Sequence, residues 1–95
     1  MESNFVKKVY AETAEINKGE EMLQEIENWG ERCNVKVVFY GVADGTPVER
    51  VIFDGKNHDA PAKRIIAQVK RIHKGNIAEA KKNLRALCRK KNDNK

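Results

Sequence analysis

Phe5, Val9, Ile16, Leu23 and Ile26 recur at intervals that place them on one face of a helix. Ser3 is positioned to cap that helix, which should run to Trp29, and Gly30 supplies the stop. Gly19, inside INKGEEM, costs roughly 1 kcal/mol relative to alanine in a helix interior, so a kink or a split is expected near it. Val9, Ile16 and Leu23 are separated by heptads, but their companion positions Glu12 and Gly19 are not apolar. That combination argues against a coiled coil.

The period of the pattern then changes. NVKVVFYGVADGTPVERVIFDGK contains two β-branched and aromatic runs, residues 35–40 and 48–53, around a loop holding Asp44-Gly45-Thr46-Pro47, the signature of a β-hairpin. On the first strand Val35, Val37 and Phe39 share one face and Lys36, Val38 and Tyr40 the other. Strict alternation on the second strand sets Val48, Arg50 and Ile52 against Glu49, Val51 and Phe53. Each face is partly apolar and calls for a dry neighbour. A lone hairpin is marginal in water and leaves both edges unpaired, so helices or a second copy of the chain should cover or extend the sheet. Strand pairing between two copies would make four strands about a twofold axis, and a homo-oligomer, preferably a dimer, is therefore expected.

After DGKNHDAP another helix begins, with Asp59 or Ala60 at its cap and Pro61 in its first turn. Ala62, Ile65, Ile66, Val69, Ile72 and His73 fall within about 120° of a helical wheel and form its apolar stripe. Gly75 should end this helix. Asn76 with Glu79 resembles a capping box for a last helix from Ile77 to about Arg89, whose stripe is Ile77, Ala80, Leu84, Leu87 and Cys88. The polar KKNDNK end should fray. The expectation is one small α+β domain over residues 1–91, ordered helix, hairpin, helix, helix, with residues 92–95 as a tail. A chain of 95 residues can bury only a modest core.

Charge sharpens this picture because it is divided along the chain. Residues 1–34 carry four Lys/Arg against eight Asp/Glu, a balance of −4; residues 35–59 carry three against four, −1; residues 60–95 carry twelve against two, +10. The net +5 thus hides a strongly basic last third behind an acidic beginning. Such asymmetry suits a polyanionic partner, or an acidic protein surface that complements it.

Lys63, Arg64, Lys70, Arg71, Lys74, Lys81, Lys82, Arg85 and Arg89 are the candidate nucleic-acid contacts. Each phosphate that they neutralise would release counterions and make affinity fall with salt. Tyr40, Lys36 and Arg50 are candidates for base stacking or anion contact. No pattern for reading base edges is present, so binding to DNA or RNA should depend little on sequence. Two alternatives remain open: an inhibitor or adaptor of mobile-element type docking on another macromolecule, and an oligomer that sequesters a small anionic nucleotide at a subunit junction.

The order helix, strand, strand, helix, with DAPAKRIIAQV after the hairpin, resembles in outline the double-stranded-RNA-binding domain. A third strand is missing and the loop GVADGTP lacks the usual contact residues of that family, so the resemblance assigns no residue a role.

Several chemistries find no support. The single serine, Ser3, lies near the amino terminus, away from any base that could activate it. Cys33 and Cys88 have neither zinc nor disulfide-scaffold spacing, and both are expected to be reduced thiols. His73 and Cys88 are read as packing residues rather than as a catalytic pair. Asp54, Asn57, His58 and Asp59 match no calcium loop and are explained by a turn and a helix cap. GVADGTP lacks the rest of a phosphate-binding loop. The sequence therefore points to a non-enzymatic cytoplasmic protein without metal or cofactor. No run of about 18 apolar residues exists to span a membrane.

Overall fold

The computed structural model describes residues 2–93, with side chains over residues 4–90. Its elements are α1 (Glu2–Trp29), β1 (Val35–Ala43), β2 (Thr46–Gly55) and α2 (Ala60–Asp93). The α+β class and the helix–hairpin–helix order agree with the sequence pattern. Two compact units make up the chain: Met1–Gln24 with Lys70–Lys95, and Glu25–Val69.

The first unit is a pair of helical segments held by an apolar seam. Phe5, Val9, Ile16 and Leu23 of α1 are half-buried, Gly19 is buried, and Ile77 and Ala80 of α2 are buried. Two contacts fix an antiparallel arrangement: Gly19 lies under Ile77, and Asn83 Nδ2 donates to Glu12 Oε1 at 3.2 Å. Moving forward on α1 therefore means moving backward on α2. The seam positions on α1 are Phe5, Val9, Glu12, Ile16, Gly19 and Leu23, spaced alternately by four and three residues. Glu12 and Gly19 thus belong to the heptad and do not interrupt it. One meets a polar partner on α2, and the other gives room for an isoleucine.

Gly19 does not split α1, which is unbroken from Glu2 to Trp29. A Cβ at residue 19 would come within 2.6 Å of Ile77 Cγ1, so the glycine serves close helix approach. Ser3 falls inside α1, not ahead of it, and its side chain lies outside the described residues. Gly75 does not end a helix either. Its φ is not positive, as the αL cap would require, and α2 continues through Gly75 and Asn76. The cost of one glycine, about 1 kcal/mol, is small beside the packing of Ile77 and Ala80 in the very next turn. The two expected carboxyl-terminal helices are therefore one. It runs past Arg89 to Asp93, so Asn92 and Asp93 are helical, while residues 94 and 95 of the expected tail lie outside the described residues.

The second unit holds the hairpin, the end of α1 and the start of α2. Helix α1 closes where the Gly30 N–H donates to Ile26 O at 2.7 Å and the Arg32 and Cys33 N–H groups donate to Trp29 O. The Arg32 guanidinium stacks 5.2 Å from the Trp29 ring centroid. Asn57 in the DGKNHD loop ties the two connections together: its side-chain amide donates to Glu31 O at 2.7 Å and its backbone N–H to Asn34 Oδ1 at 3.3 Å. Asp59 accepts the Lys63 N–H at 3.1 Å through its carbonyl, which makes it the residue that opens α2, with Pro61 in the first turn as expected.

The strands are longer than the apolar runs alone suggest, because only Asp44 and Gly45 lie between them. Both have positive φ, 51° and 76°, as a two-residue type I′ hairpin turn demands. The register also corrects the expected faces of β2. Val37 pairs with Phe53 and Val38 with Val51, leaving Ile52 as an extra, bulged residue. Phe53 consequently shares a face with Arg50 and Val48, opposite Val37, Phe39 and Gly41, while Val51 and Glu49 lie across from Val38 and Tyr40. A hollow of 450 Å³ beside the bulge is walled by Val37, Ile52 and Phe53 of the sheet and Ile65, Gln68 and Val69 of α2. Two strands make the whole sheet, so the outline shared with the double-stranded-RNA-binding domain ends at the order of elements.

Candidate functional site

The unbroken course of α2 decides how its charges are arranged. At about 100° per residue, Lys70, Arg71, Lys74, Lys81, Lys82, Arg85 and Arg89 share one arc of about 120°. A break at Gly75 would have left the first three and the last four with independent phases. Continuity brings them into one stripe, about 28 Å long from Lys70 to Arg89. Lys63 and Arg64 are exposed and belong to the other unit, so they are not members of this stripe.

The opposite arc of α2 carries Ile77, Ala80, Asn83, Leu84 and Leu87, which are buried or half-buried. Burial of that arc turns the basic one toward water. Arg71, Lys74, Lys81, Lys82, Arg85 and Arg89 are exposed, and Lys70 is half-buried and partnered. Among the described residues none of the six exposed cations makes an ion pair with a carboxylate. Among the described residues of this unit, the carboxylates of α1 therefore leave these six unmasked. Glu12 is turned into the seam, where it accepts from Asn83 on the far side of α2 from the stripe.

What lies between the cations matters as much as the cations. Within the stretch from Lys70 to Arg89 the remaining members of the arc are Ala78 and Cys88, and Glu79 does not belong to it. Cys88 is exposed, contrary to its expected place on the apolar stripe, because it lies at the stripe's flank. Lys90, not among the expected contacts, is exposed about a quarter-turn from the arc. It lines an open hollow of 410 Å³ with Lys8, Glu12, Asn83, Ala86, Leu87 and Arg89.

The three hairpin candidates do not form one site. Tyr40 and Lys36 share a face of β1, whereas Arg50 sits on the other face opposite Phe39 and donates to Glu49 O at 3.1 Å. Tyr40 is open to solvent, 85% exposed. In the DGKNHD loop, His58 Nε2 stands 3.7 Å from Asp59 Oδ1 and its Nδ1 3.3 Å from Asn57 Oδ1, a local turn network. No metal-binding cluster of His, Cys, Asp and Glu occurs among the described residues. No helix among them is long and apolar enough to cross a membrane.

Comparison with protein-family models, with curated proteins and with solved structures finds no match to this chain.

Proposed function

We propose that the chain is a non-enzymatic module that binds nucleic acid through phosphate contacts, with little dependence on sequence. The observation that carries this reading is the single-phase stripe on α2, in which Arg71, Lys74, Lys81, Lys82, Arg85 and Arg89 are exposed and, among the described residues, carry no ion pair. A charged groove-tracking surface of this kind offers repeated cations at a roughly constant rise, which suits a repeating polyanion. Docking on an acidic protein needs more than charge. Protein interfaces take most of their energy from aromatic or aliphatic anchors in desolvated pockets. Ala78 and Cys88, the uncharged members of the stripe, provide no such anchor.

Sequence should be read weakly, because lysine and arginine on phosphates position a protein without reporting base identity. The test is a mobility-shift titration of DNA and RNA duplexes at low salt. The wild-type chain retards them, and Lys81→Ala/Lys82→Ala/Arg85→Ala loses most of that binding. Lys7→Ala/Lys18→Ala, which alters exposed lysines of α1, keeps it. Absence of any retardation by the wild-type chain removes the reading.

A further inference from the structure

We infer that two copies of the chain join edge to edge through β1, in the antiparallel register that sets Tyr40 against Tyr40 across a twofold axis. This does not depend on the nucleic-acid reading, and it goes beyond a general expectation of oligomers by naming the edge and the register.

The two edges of the hairpin are not alike. β2 is blunted by the devices that keep sheet edges apart: Pro47, which has no N–H to donate, the bulge at Ile52, and the charges of Glu49, Arg50 and Asp54. β1 has none of these except Lys36 near its start. Its nine residues, Val35 to Ala43, contain no proline, and the bulged residue lies on the other strand. The open edge is thus β1.

The two-residue turn then fixes which groups that edge offers. Ala43 and Thr46 close the turn as a hydrogen-bonded pair, so the backbone groups of Val38, Tyr40 and Val42 point away from β2. Around a twofold at Tyr40, Val38 of one copy faces Val42 of the other, and these outward groups bond to each other. Phe39 comes opposite Gly41, where the missing side chain leaves room for the ring, a pairing known to support glycine in sheets. Val37 comes opposite Ala43. Lys36 comes one position past the Ala43 of the other copy, beside the turn that Asp44 opens, so the one cation of the strand lies near that anion, twice over by symmetry. No like charges face each other in this register.

The occupant is a second copy because the surface complements itself in charge and shape. Its area is also adequate. Phe39, Tyr40 and Val42 are 62%, 85% and 75% exposed, and Val51 beside them on the sheet is 54% exposed. An aromatic side chain alone presents about 150–250 Å². With the backbone edge, these residues supply much of the roughly 800 Å² per partner that a standard interface removes from water.

Sedimentation equilibrium of the full chain, in buffer without nucleic acid, tests the inference. The expected mass is twice the 10.8 kDa of one chain. Tyr40→Lys should raise the dimer dissociation constant at least about tenfold, since two like charges then face across the axis. A lysine there can still pair with Glu49 on β2, so the hairpin is kept. Asp44→Asn retains the left-handed turn position that asparagine accepts, and should weaken the dimer several-fold by removing the anion near Lys36. If Tyr40→Lys has lost its native circular dichroism, Asp44→Asn alone decides. A wild-type mass other than that of two chains, or a dimer whose constant is unchanged in Asp44→Asn, overturns the inference.

Discussion

Gly19 of α1 and Ile77 of α2 meet with no room for a methyl group between them: a Cβ on the glycine would stand 2.6 Å from the isoleucine Cγ1 and 3.0 Å from its Cδ1. Gly75, also inside a helix, has nothing within 4 Å of the position of its Cβ. One substitution should thus act with opposite signs at the two sites. Gly75→Ala removes a helix-interior glycine and should stabilise the fold by about 1 kcal/mol. Gly19→Ala gains the same propensity but must push the two helices apart at their seam, and overpacking costs about 1–3 kcal/mol. Urea denaturation of both variants checks this. Gly75→Ala should raise the midpoint, and Gly19→Ala should fail to raise it or lower it.

The same pair shows why the sequence disclosed one part of the fold and not another. The hairpin was legible because two β-branched and aromatic runs, residues 35–40 and 48–53, flank an Asp-Gly whose turn chemistry is local. Seam residues Val9, Ile16 and Leu23 were legible as a helical face. The reason for Gly19 was not, because it resides in Ile77, 58 positions away along the chain. Gly75 misled for the converse reason: a glycine carries a local stop signal, and only the burial of Ile77 and Ala80 beyond it overrides that signal. The basic residues themselves were plain from composition. Their alignment was not, since it depends on the helix remaining continuous.

The turn should be sensitive at one residue in particular. Gly45 has φ of 76°, a left-handed conformation that costs an ordinary L-residue roughly 1–2 kcal/mol. Gly45→Val should lower stability by about that amount, since a β-branched side chain is the poorest choice there. Gly45→Asn, compatible with left-handed φ, should cost much less. Thermal unfolding of the two variants measures the difference, and equal losses would contradict the turn assignment.

Glu12 and Asn83 occupy seam positions where apolar residues would pack. Replacing both polar partners of a hydrogen bond by apolar groups is close to neutral or stabilising, whereas removing one leaves the other poorly satisfied. Glu12→Leu/Asn83→Leu should therefore be at least as stable as wild type, and Asn83→Leu alone less stable, by on the order of 1 kcal/mol. A double-mutant cycle by chemical denaturation reads the coupling. Additive effects would place these residues out of contact.

Neutralising part of the stripe should change the salt response in a counted way. Each lysine or arginine that contacts a phosphate of duplex DNA adds about 0.9 to the steepness of log affinity against log salt. Lys81→Ala/Lys82→Ala/Arg85→Ala should flatten that slope by up to about 2.7, with helix content kept because alanine is a good helix former. An unaltered slope would move the contacts elsewhere.

The most direct measurement of the central claim is the affinity of the wild-type chain for a labelled duplex, by fluorescence anisotropy, across a series of salt concentrations. With Arg71, Lys74, Lys81, Lys82, Arg85 and Arg89 each meeting a phosphate, the log–log slope should be near −5 for DNA, and duplexes of unrelated sequence should bind alike. Affinity that does not change with salt, or no binding at the lowest salt, would contradict the account.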